Sequence, residues 1–598
     1  MSSIWLLLLA LVSPVSCLWT KFDFVRPWEG AWGSSGHTSY TKISALEGNG
    51  PPELSYGSKF GWSMTNMGDI DGDGSEDLVV GAPGEYSEYE DIVNGTLVSS
   101  RWLTGAIYVV FMDGSTGLAK STVRISGLVN GGPKLYANED FGYSVACLGD
   151  LDGDGVPDVA VGAPGNFLSS VYVLFMNHDG SVKDHNMIRG YYKGTIPASM
   201  TNGTYDNTTY IPNGPDLVYQ CRLGTTVTNI GDWDEDGVID MAVTSLRASG
   251  GGSYIYFMYM FPNGSVKSYT NITSAGGFTS GGNVPDLEGR THVSFGSSIL
   301  LFPDHDGDGV PELVIGAKDL DDADTTNYKS GVVFFCFMNR NGTIREYHRI
   351  SELAEEGHKG GVLPYTEDDA CGTALTTIGD INQDAYKQQR PTLRSEHWND
   401  PGYPDRIELN DLIVGCPQTS SGTMTGRIFI MYLTHQGRQQ AHTVLPGSTD
   451  TPRGIGPGGQ FGDTDAVGHS LVAMPDYDNN GIKEIAVGAP GTSENGTSSG
   501  AIYIWYLRRR RWHSFIPDTR AWLCSIIIPP SLFVFFCFAS IIYFFYHFRR
   551  KPDKIEMMVK EAGVEVETSG KKKRKKREEK RKRREESKQI VPDEADDF

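Results

Sequence analysis

The chain has 598 residues, a net charge of −22, 72 glycines and eight cysteines. The charge is split: residues 549–598 hold 18 Lys/Arg against 13 Asp/Glu, so the other 548 residues carry −27. An acidic body argues against a nucleic-acid partner, since nothing in it would neutralise phosphates, and it suits divalent cations; glycine at roughly 12%, against a usual ~7%, fits a turn-rich all-β chain.

Residues 1–17 read as a secretory signal peptide, with an apolar run over 4–12 and Val15 and Cys17 at the −3 and −1 positions of a cleavage site. That run is too short to span a bilayer. A lone amphipathic strand, SYTKIS at 39–44, follows after about 20 mature residues. A motif then recurs six times, strongest in FGWSMTNMGDIDGDGSEDLVVGAPG at 60–84 and FGYSVACLGDLDGDGVPDVAVGAPG at 141–165. The first loop aspartates are Asp69, Asp150, Asp232, Asp304, Asp380 and Asp476, and a glycine stands eight residues before each, from Gly61 to Gly468.

Each copy continues into a second apolar strand, such as GAIYVVFM at 105–112 or GAIYIWYL at 500–507, rich in the β-branched and aromatic residues that favour strands. A third, amphipathic strand follows in every copy but the last. The solitary strand at 39–44 supplies it there, so the chain's two ends share one sheet and few strand edges stay exposed. The expectation is an all-β, closed β-propeller over 18–511 with six blades, seven being the alternative. In the fifth copy an insertion at about 386–408 separates Asp380 from Gly415.

The aspartate loops place oxygen ligands at alternating positions. The first offers Asp69, Asp71, Asp73, the carbonyl of Ser75 and Asp77. The second offers Asp150, Asp152, Asp154, the carbonyl of Val156 and Asp158. The third has Asp232, Asp234, Asp236, the carbonyl of Val238 and Asp240, and the fourth Asp304, Asp306, Asp308, the carbonyl of Val310 and Glu312. The sixth has Asp476, Asp478, Asn480, the carbonyl of Ile482 and Glu484. Hard oxygens in this number select Ca²⁺, which takes 6–8 of them in flexible geometry. An EF-hand is excluded because position 12 is apolar and the flanks are strands. The fifth loop keeps Asp380, Asn382 and Asp384, but Ala385 replaces its glycine and its closing acid, Asp411, lies beyond the insertion.

Five cysteines lie in the body: Cys147, Cys221, Cys336, Cys371 and Cys416. They read as buried thiols acting as small apolar residues, with a Cys371–Cys416 bridge within one repeat as the alternative. Seven Asn-x-Ser/Thr sequons, at Asn94, Asn202, Asn207, Asn263, Asn271, Asn341 and Asn495, are candidate glycosylation sites on surface loops. Residues 521–548 form an apolar stretch long enough to span a membrane, and Arg549, Arg550 and Lys551 beyond it place the tail, 549–598, in the cytoplasm. The expected protein is thus single-pass in the plasma membrane or another secretory membrane, with its N-terminus outside. The basic run at 571–584 is expected to be a solvated, partly helical face, with contact to anionic lipids as a second reading.

Phe-Gly, an Asp-x-Asp-Gly-Asp-Gly-x-x-Asp loop and Gly-Ala-Pro together resemble the FG-GAP repeat of integrin α-subunit propellers, over roughly residues 39–507. The resemblance implies Ca²⁺ in loops on one face, partner binding on the opposite face, and extracellular adhesion or recognition of a protein or glycan. The chain departs from integrin α-subunits in counting six blades where they have seven, and in running almost directly from propeller to membrane. No Gly-x-Ser-x-Gly, His-Glu-x-x-His or phosphate-binding glycine loop is present, so the expectation is a binding protein and not an enzyme. A lectin-like glycan receptor is the alternative, and a propeller hydrolase the weaker one.

Overall fold

The computed structural model describes residues 40–507, apart from 94–95, 166–168, 190, 193–213, 218–220, 248–252, 274–293, 321–329, 352–368, 382–385, 388–405, 408, 419–425, 435, 446–464 and 495–496, together with Glu578 and Arg581. All the strands lie in the first of two compact units, Met1–Arg510; in the second, Arg511–Phe598, only the two helical residues Glu578 and Arg581 are described. The expected signal peptide, membrane span and most of the tail therefore fall outside the described residues, as do Asn94, Asn202, Asn207 and Asn495. Among the described residues no helix is long and apolar enough to cross a membrane.

Six four-stranded antiparallel sheets form the blades. From the inside outwards, blade one is Ser63–Gly68, Asp77–Ala82, Ala106–Asp113 and Leu118–Ile125. Blade two is Ser144–Gly149, Asp158–Ala163, Ser170–Met176 and Val182–Arg189. Blade three is Cys221–Gly231, Asp240–Arg247, Tyr254–Met260 and Val266–Thr273. Blade four is Phe295–Phe302, Glu312–Ala317, Val332–Met338 and Ile344–Ile350. Blade five is Ala374–Thr376, Leu412–Cys416, Arg427–Leu433 and Gln439–Leu445. In blade six, Ser470–Ala473, Ile485–Ala489 and Ala501–Trp505 are completed by Tyr40–Ser44, with Tyr40 opposite Trp505 and Ser44 opposite Ala501. The N-terminal strand closes the ring as the sequence requires, and the count is six.

The inner strands pack side by side in a full circle, the sixth against the first. Between each pair of neighbouring blades lies one apolar cluster, six in all. The second and third strands are therefore covered on both faces. This is why Asp77–Ala82 and Ser170–Met176 are buried along their whole length, and why they read as continuous apolar runs and not as alternation.

The repeat motif is explained at the seam between blades. The glycine of each Phe-Gly pair sits at positive φ, from 81° at Gly372 to 87° at Gly61 and Gly142, a conformation glycine alone adopts without strain. Its carbonyl points at the Gly-Ala-Pro glycine of the preceding blade. A Cβ on Gly81 would stand 2.1 Å from the Gly142 carbonyl oxygen, one on Gly162 2.1 Å from that of Gly224, and one on Gly488 2.1 Å from that of Gly61. A hydroxyl two residues after the Phe-Gly glycine closes the same seam: Ser63, Ser144, Thr226, Ser298 and Ser470 donate to the carbonyls of Gly142, Gly224, Gly296, Gly372 and Gly61 at 2.7–2.9 Å. Blade five has Ala374 there and lacks the donor. The phenylalanines themselves are buried and meet aromatics of the third strand edge-on, Phe60 on Tyr108, Phe141 on Tyr172 and Phe295 on Phe334, at 5.5–5.6 Å.

In blade five Cys371 takes the phenylalanine position and bonds to Cys416, in the alanine position of that Gly-Ala-Pro. The bridge corrects the reading of all five cysteines as thiols; Cys147, Cys221 and Cys336 remain free. An antiparallel hairpin, Tyr86–Val93 with Thr96–Leu103, is inserted between the second and third strands of blade one. Two short strands, Tyr386–Lys387 and Arg406–Ile407, pair at the ends of the blade-five insertion.

Two substitutions test the seam. Gly162→Ala should destabilise the protein by about 1–3 kcal/mol, the range for overpacking, because the clash is with backbone. Ala374→Ser should stabilise it by about 0.5–1.5 kcal/mol, the net value of a hydrogen bond. Both are read from equilibrium urea unfolding.

Candidate metal centres and the channel mouth

Each aspartate loop joins the inner strand to the second strand. All therefore lie on one face of the ring, and the Phe-Gly and Gly-Ala-Pro segments lie on the other. The residue after the first aspartate anchors the loop: Ile70, Leu151, Trp233, His305 and Ile381 are buried. Their N–H groups donate to the closing acids Asp77, Asp158, Asp240, Glu312 and Asp411 at 2.8–3.2 Å. The other oxygen of Asp77, Asp158, Asp240 and Asp411 accepts from the end of the third strand, at Met112, Met176, Met260 and Leu433. The closing acid is thus a fixed, buried carboxylate under the loop.

The first aspartate folds the loop over it. Asp69 accepts from Asp73 N–H at 2.9 Å and Gly74 N–H at 2.7 Å, and Asp150, Asp232, Asp304 and Asp476 repeat the pattern. Gly74, Gly155, Gly237, Gly309 and Gly481 hold φ between 84° and 91° with open space where a Cβ would be, so conformation and not crowding demands glycine.

Among the described residues the geometry gathers carboxylate oxygens within 4.8 Å of one another in five loops: Asp69, Asp71 and Asp77; Asp150, Asp152 and Asp158; Asp232, Asp234 and Asp240; Asp304, Asp306, Asp308 and Glu312; Asp476, Asp478 and Glu484. Glu312 Oε1 is buried with no hydrogen-bond partner among the described residues, which suits a carboxylate oxygen that ligates a cation. Asp73, Asp154 and Asp236 stand outside the gathered groups. One oxygen of each accepts from the N–H of Ser75, Val156 or Val238, at 2.9 Å. Val310 and Ile482 make the same bond to Asp308 and Asn480. The second oxygen of Asp73, Asp154 and Asp236 is held by a lysine that the sequence reading did not single out: Lys120, Lys183 or Lys267. In the fifth loop Asp380 and Asp411 are described, and 382–385 are not. Of the sequons, Asn263 and Asn341 are exposed in hairpin turns and Asn271 is half-buried on an outer strand.

On the opposite face the residue after each Phe-Gly glycine lines the mouth of an axial cavity of about 150 Å³, with Trp62, Tyr143, Thr225, Ser297, Thr373 and His469 around it. Trp62 packs on His469 at 4.0 Å and on Tyr143 at 5.3 Å. Burial, then the charge of Lys318, pushes the His469 imidazole down to about 3, so it is neutral at physiological pH.

An FG-GAP repeat model matches residues 60–97 and 141–174. Integrin alpha-PS2 of Drosophila melanogaster is 26% identical over 307 residues, covering 50% of this chain and 18% of that protein. Integrin alpha-5 of Xenopus laevis is 26% identical over 271 residues, 44% of this chain and 20% of the relative. Integrin alpha-7 of Homo sapiens is 37% identical over 107 residues, 18% and 7%. The chain spans about a fifth or less of these relatives' length.

Burial pushes the carboxyls of Asp77, Asp158 and Asp240 up to about 6, and that of Glu312 up to about 9. In the ion-free fold these groups hold protons that the unfolded chain releases near pH ~4. The stability they contribute is present below that pH and lost as pH rises through the raised values. A cation must displace the same protons. Affinity for Ca²⁺ should therefore fall as pH drops below about 6 in the first three loops and already below about 9 in the fourth, by up to about tenfold per unit. Calorimetric titration at pH 5, 6 and 7.5 reads this, and an affinity constant across that range would contradict it.

Proposed function

We propose that this FG-GAP repeat chain, with its integrin-α-like propeller, is a single-pass cell-surface protein whose Ca²⁺-stabilised ectodomain recognises an extracellular protein or glycan ligand. The observation that carries the reading is the fourth loop, where Asp304, Asp306, Asp308 and Glu312 converge around a buried, unpartnered carboxylate oxygen in a ring that closes on itself. Carboxylate oxygens alone, with no nitrogen or sulfur, favour a hard cation. The donor set in the five loops thus fits Ca²⁺ held by the first, third and closing acids, with Asp308 added in blade four.

The cation would have a structural role. It offsets repulsion among acids that one short loop crowds together, and it binds only the folded loop. At millimolar Ca²⁺, with a dissociation constant on the order of 10⁻⁴ M, each loop would add about 1–2 kcal/mol. The leader at 1–17, the apolar span at 521–548 and the basic residues beyond it support outward display of the propeller and a cytoplasmic tail. The loops' own face is taken up by this stabilising role, so recognition is assigned to the opposite face and its inter-blade segments. A lectin-like role draws on one further observation there: Trp62 and Tyr143 stand at a cavity mouth lined by hydroxyls, a combination able to stack on and hydrogen-bond to a sugar.

Chelation of the purified full-length protein should lower its melting temperature by at least roughly 5 °C, with recovery on adding Ca²⁺; an unchanged temperature would sink the structural role. Proximity labelling at the surface of expressing cells, with and without Ca²⁺, should return a Ca²⁺-dependent set of extracellular proteins. Binding confined to a glycan array would favour the lectin reading instead.

A further inference from the structure

The third and outer strands of blades one to five share an irregularity of register. Phe111 pairs with Ser121 and Met112 with Ala119, which leaves Lys120 as the extra residue of a bulge. The same step leaves out Lys183 in blade two, Lys267 in blade three and Arg345 in blade four. A bulge re-aims a side chain that regular pairing would send elsewhere. All four re-aimed side chains are cationic, and all four reach the aspartate loop of their own blade. Lys120 meets Asp71 at 3.3 Å and also Asp73, and Lys183 meets Asp152 at 2.8 Å and also Asp154. Lys267 meets Asp234 at 2.5 Å and Asp236 at 2.6 Å, and Arg345 meets Asp306 and Asp308. Blade five, whose loop has lost its glycine, places neutral Gln440 at its bulge. Blade six pairs Tyr40–Ser44 without a bulge.

We propose that Lys120, Lys183, Lys267 and Arg345 are tethered counter-cations that compete with the divalent ion for the third and fifth carboxylates of each loop. The proposal rests on the calcium reading given above and extends it to what sets the affinity. In blades one to three both oxygens of the fifth-position aspartate are engaged, one by a backbone N–H and one by the lysine. An incoming ion gains that ligand only when the lysine releases it. Without the ion, the lysine joins the two carboxylates and limits their repulsion. The four complete loops would thus stay folded at low Ca²⁺ and bind it more weakly than their acid content alone would dictate.

The test uses the full-length protein, depleted of metal and titrated calorimetrically with CaCl₂. The comparison is between wild type, Lys183→Gln, and the quadruple variant K120Q/K183Q/K267Q/R345Q. The expected result is affinity raised on the order of tenfold at each altered loop, from removal of one unit charge a few ångströms from the ion. It is accompanied by a lower melting temperature in EDTA, and Lys183→Arg restores wild-type values for both. The single variant keeps the test open should the quadruple variant fail to fold. Wild-type binding with unchanged or weaker affinity in the glutamine variants would overturn the counter-cation role and leave the calcium reading standing. Binding gained only in the variants would support competition. No binding by any form would overturn both.

Discussion

Everything in this ring depends on one close approach, that of a Phe-Gly carbonyl to the glycine at the end of the preceding blade's second strand. The contact leaves no room for a side chain on the receiving residue and requires positive φ on the donating one. Two glycines of the repeat are thereby explained by a single event at the blade seam. The hydroxyl that donates to the same carbonyl supplies direction, and the apolar clusters between blades supply most of the driving force. Blade three shows the tolerance of the scheme: Thr244 stands where the other blades have glycine, beside an unusually long inner strand, Cys221–Gly231. Blade five shows another solution, with a disulfide across the positions that Phe and Ala occupy elsewhere.

The seam fixes the spacing of the blades, and that spacing places the loops where they can brace one another. His178 Nδ1, in a hairpin turn of blade two, lies 2.8 Å from the Ile70 carbonyl of blade one. Trp233 of the third loop donates to the Arg340 carbonyl of blade four, and His305 of the fourth loop bonds the Thr434 carbonyl of blade five. In the first, third and fourth loops the residue after the first aspartate thus does two jobs, filling an inter-blade core and tying its loop to the next blade. A cation in such a loop would stiffen the junction as well as the turn. Acid and base are paired on this face by construction, since the bulge that carries each lysine or arginine belongs to the same blade as the loop it meets.

Much of this was legible in the residues. The period of the aspartate loops, the stray strand at 39–44 and the missing strand at the end were enough for a closed six-blade ring, because pairing of free edges is a local requirement that sequence displays. The first, third and closing acids of five loops could be named from their spacing. What stayed hidden depended on register. That Lys120 is aimed at Asp71 follows from a bulge, and a bulge is a relation between two strands that neither strand records alone. The capture of Asp73, Asp154 and Asp236 by lysines was hidden for the same reason. The hairpin Tyr86–Leu103 carried a turn signal in Asn94-Gly95, but its strands lack the apolar face that marks the others. The Cys371–Cys416 bond was open in the sequence because burial of a thiol and pairing of two look alike until the seam brings the residues together.

If Ca²⁺ braces the six-bladed ring as proposed, the ions lie in the aspartate loops, and long-wavelength anomalous diffraction from crystals of the full-length protein grown in CaCl₂ locates them. Difference peaks are expected beside Asp77, Asp158, Asp240, Glu312 and Glu484, each enclosed by the first and third aspartates of its loop. Density for six blades with no anomalous peak at any of these loops would contradict the calcium assignment, and a seventh blade would contradict the closure by Tyr40–Ser44.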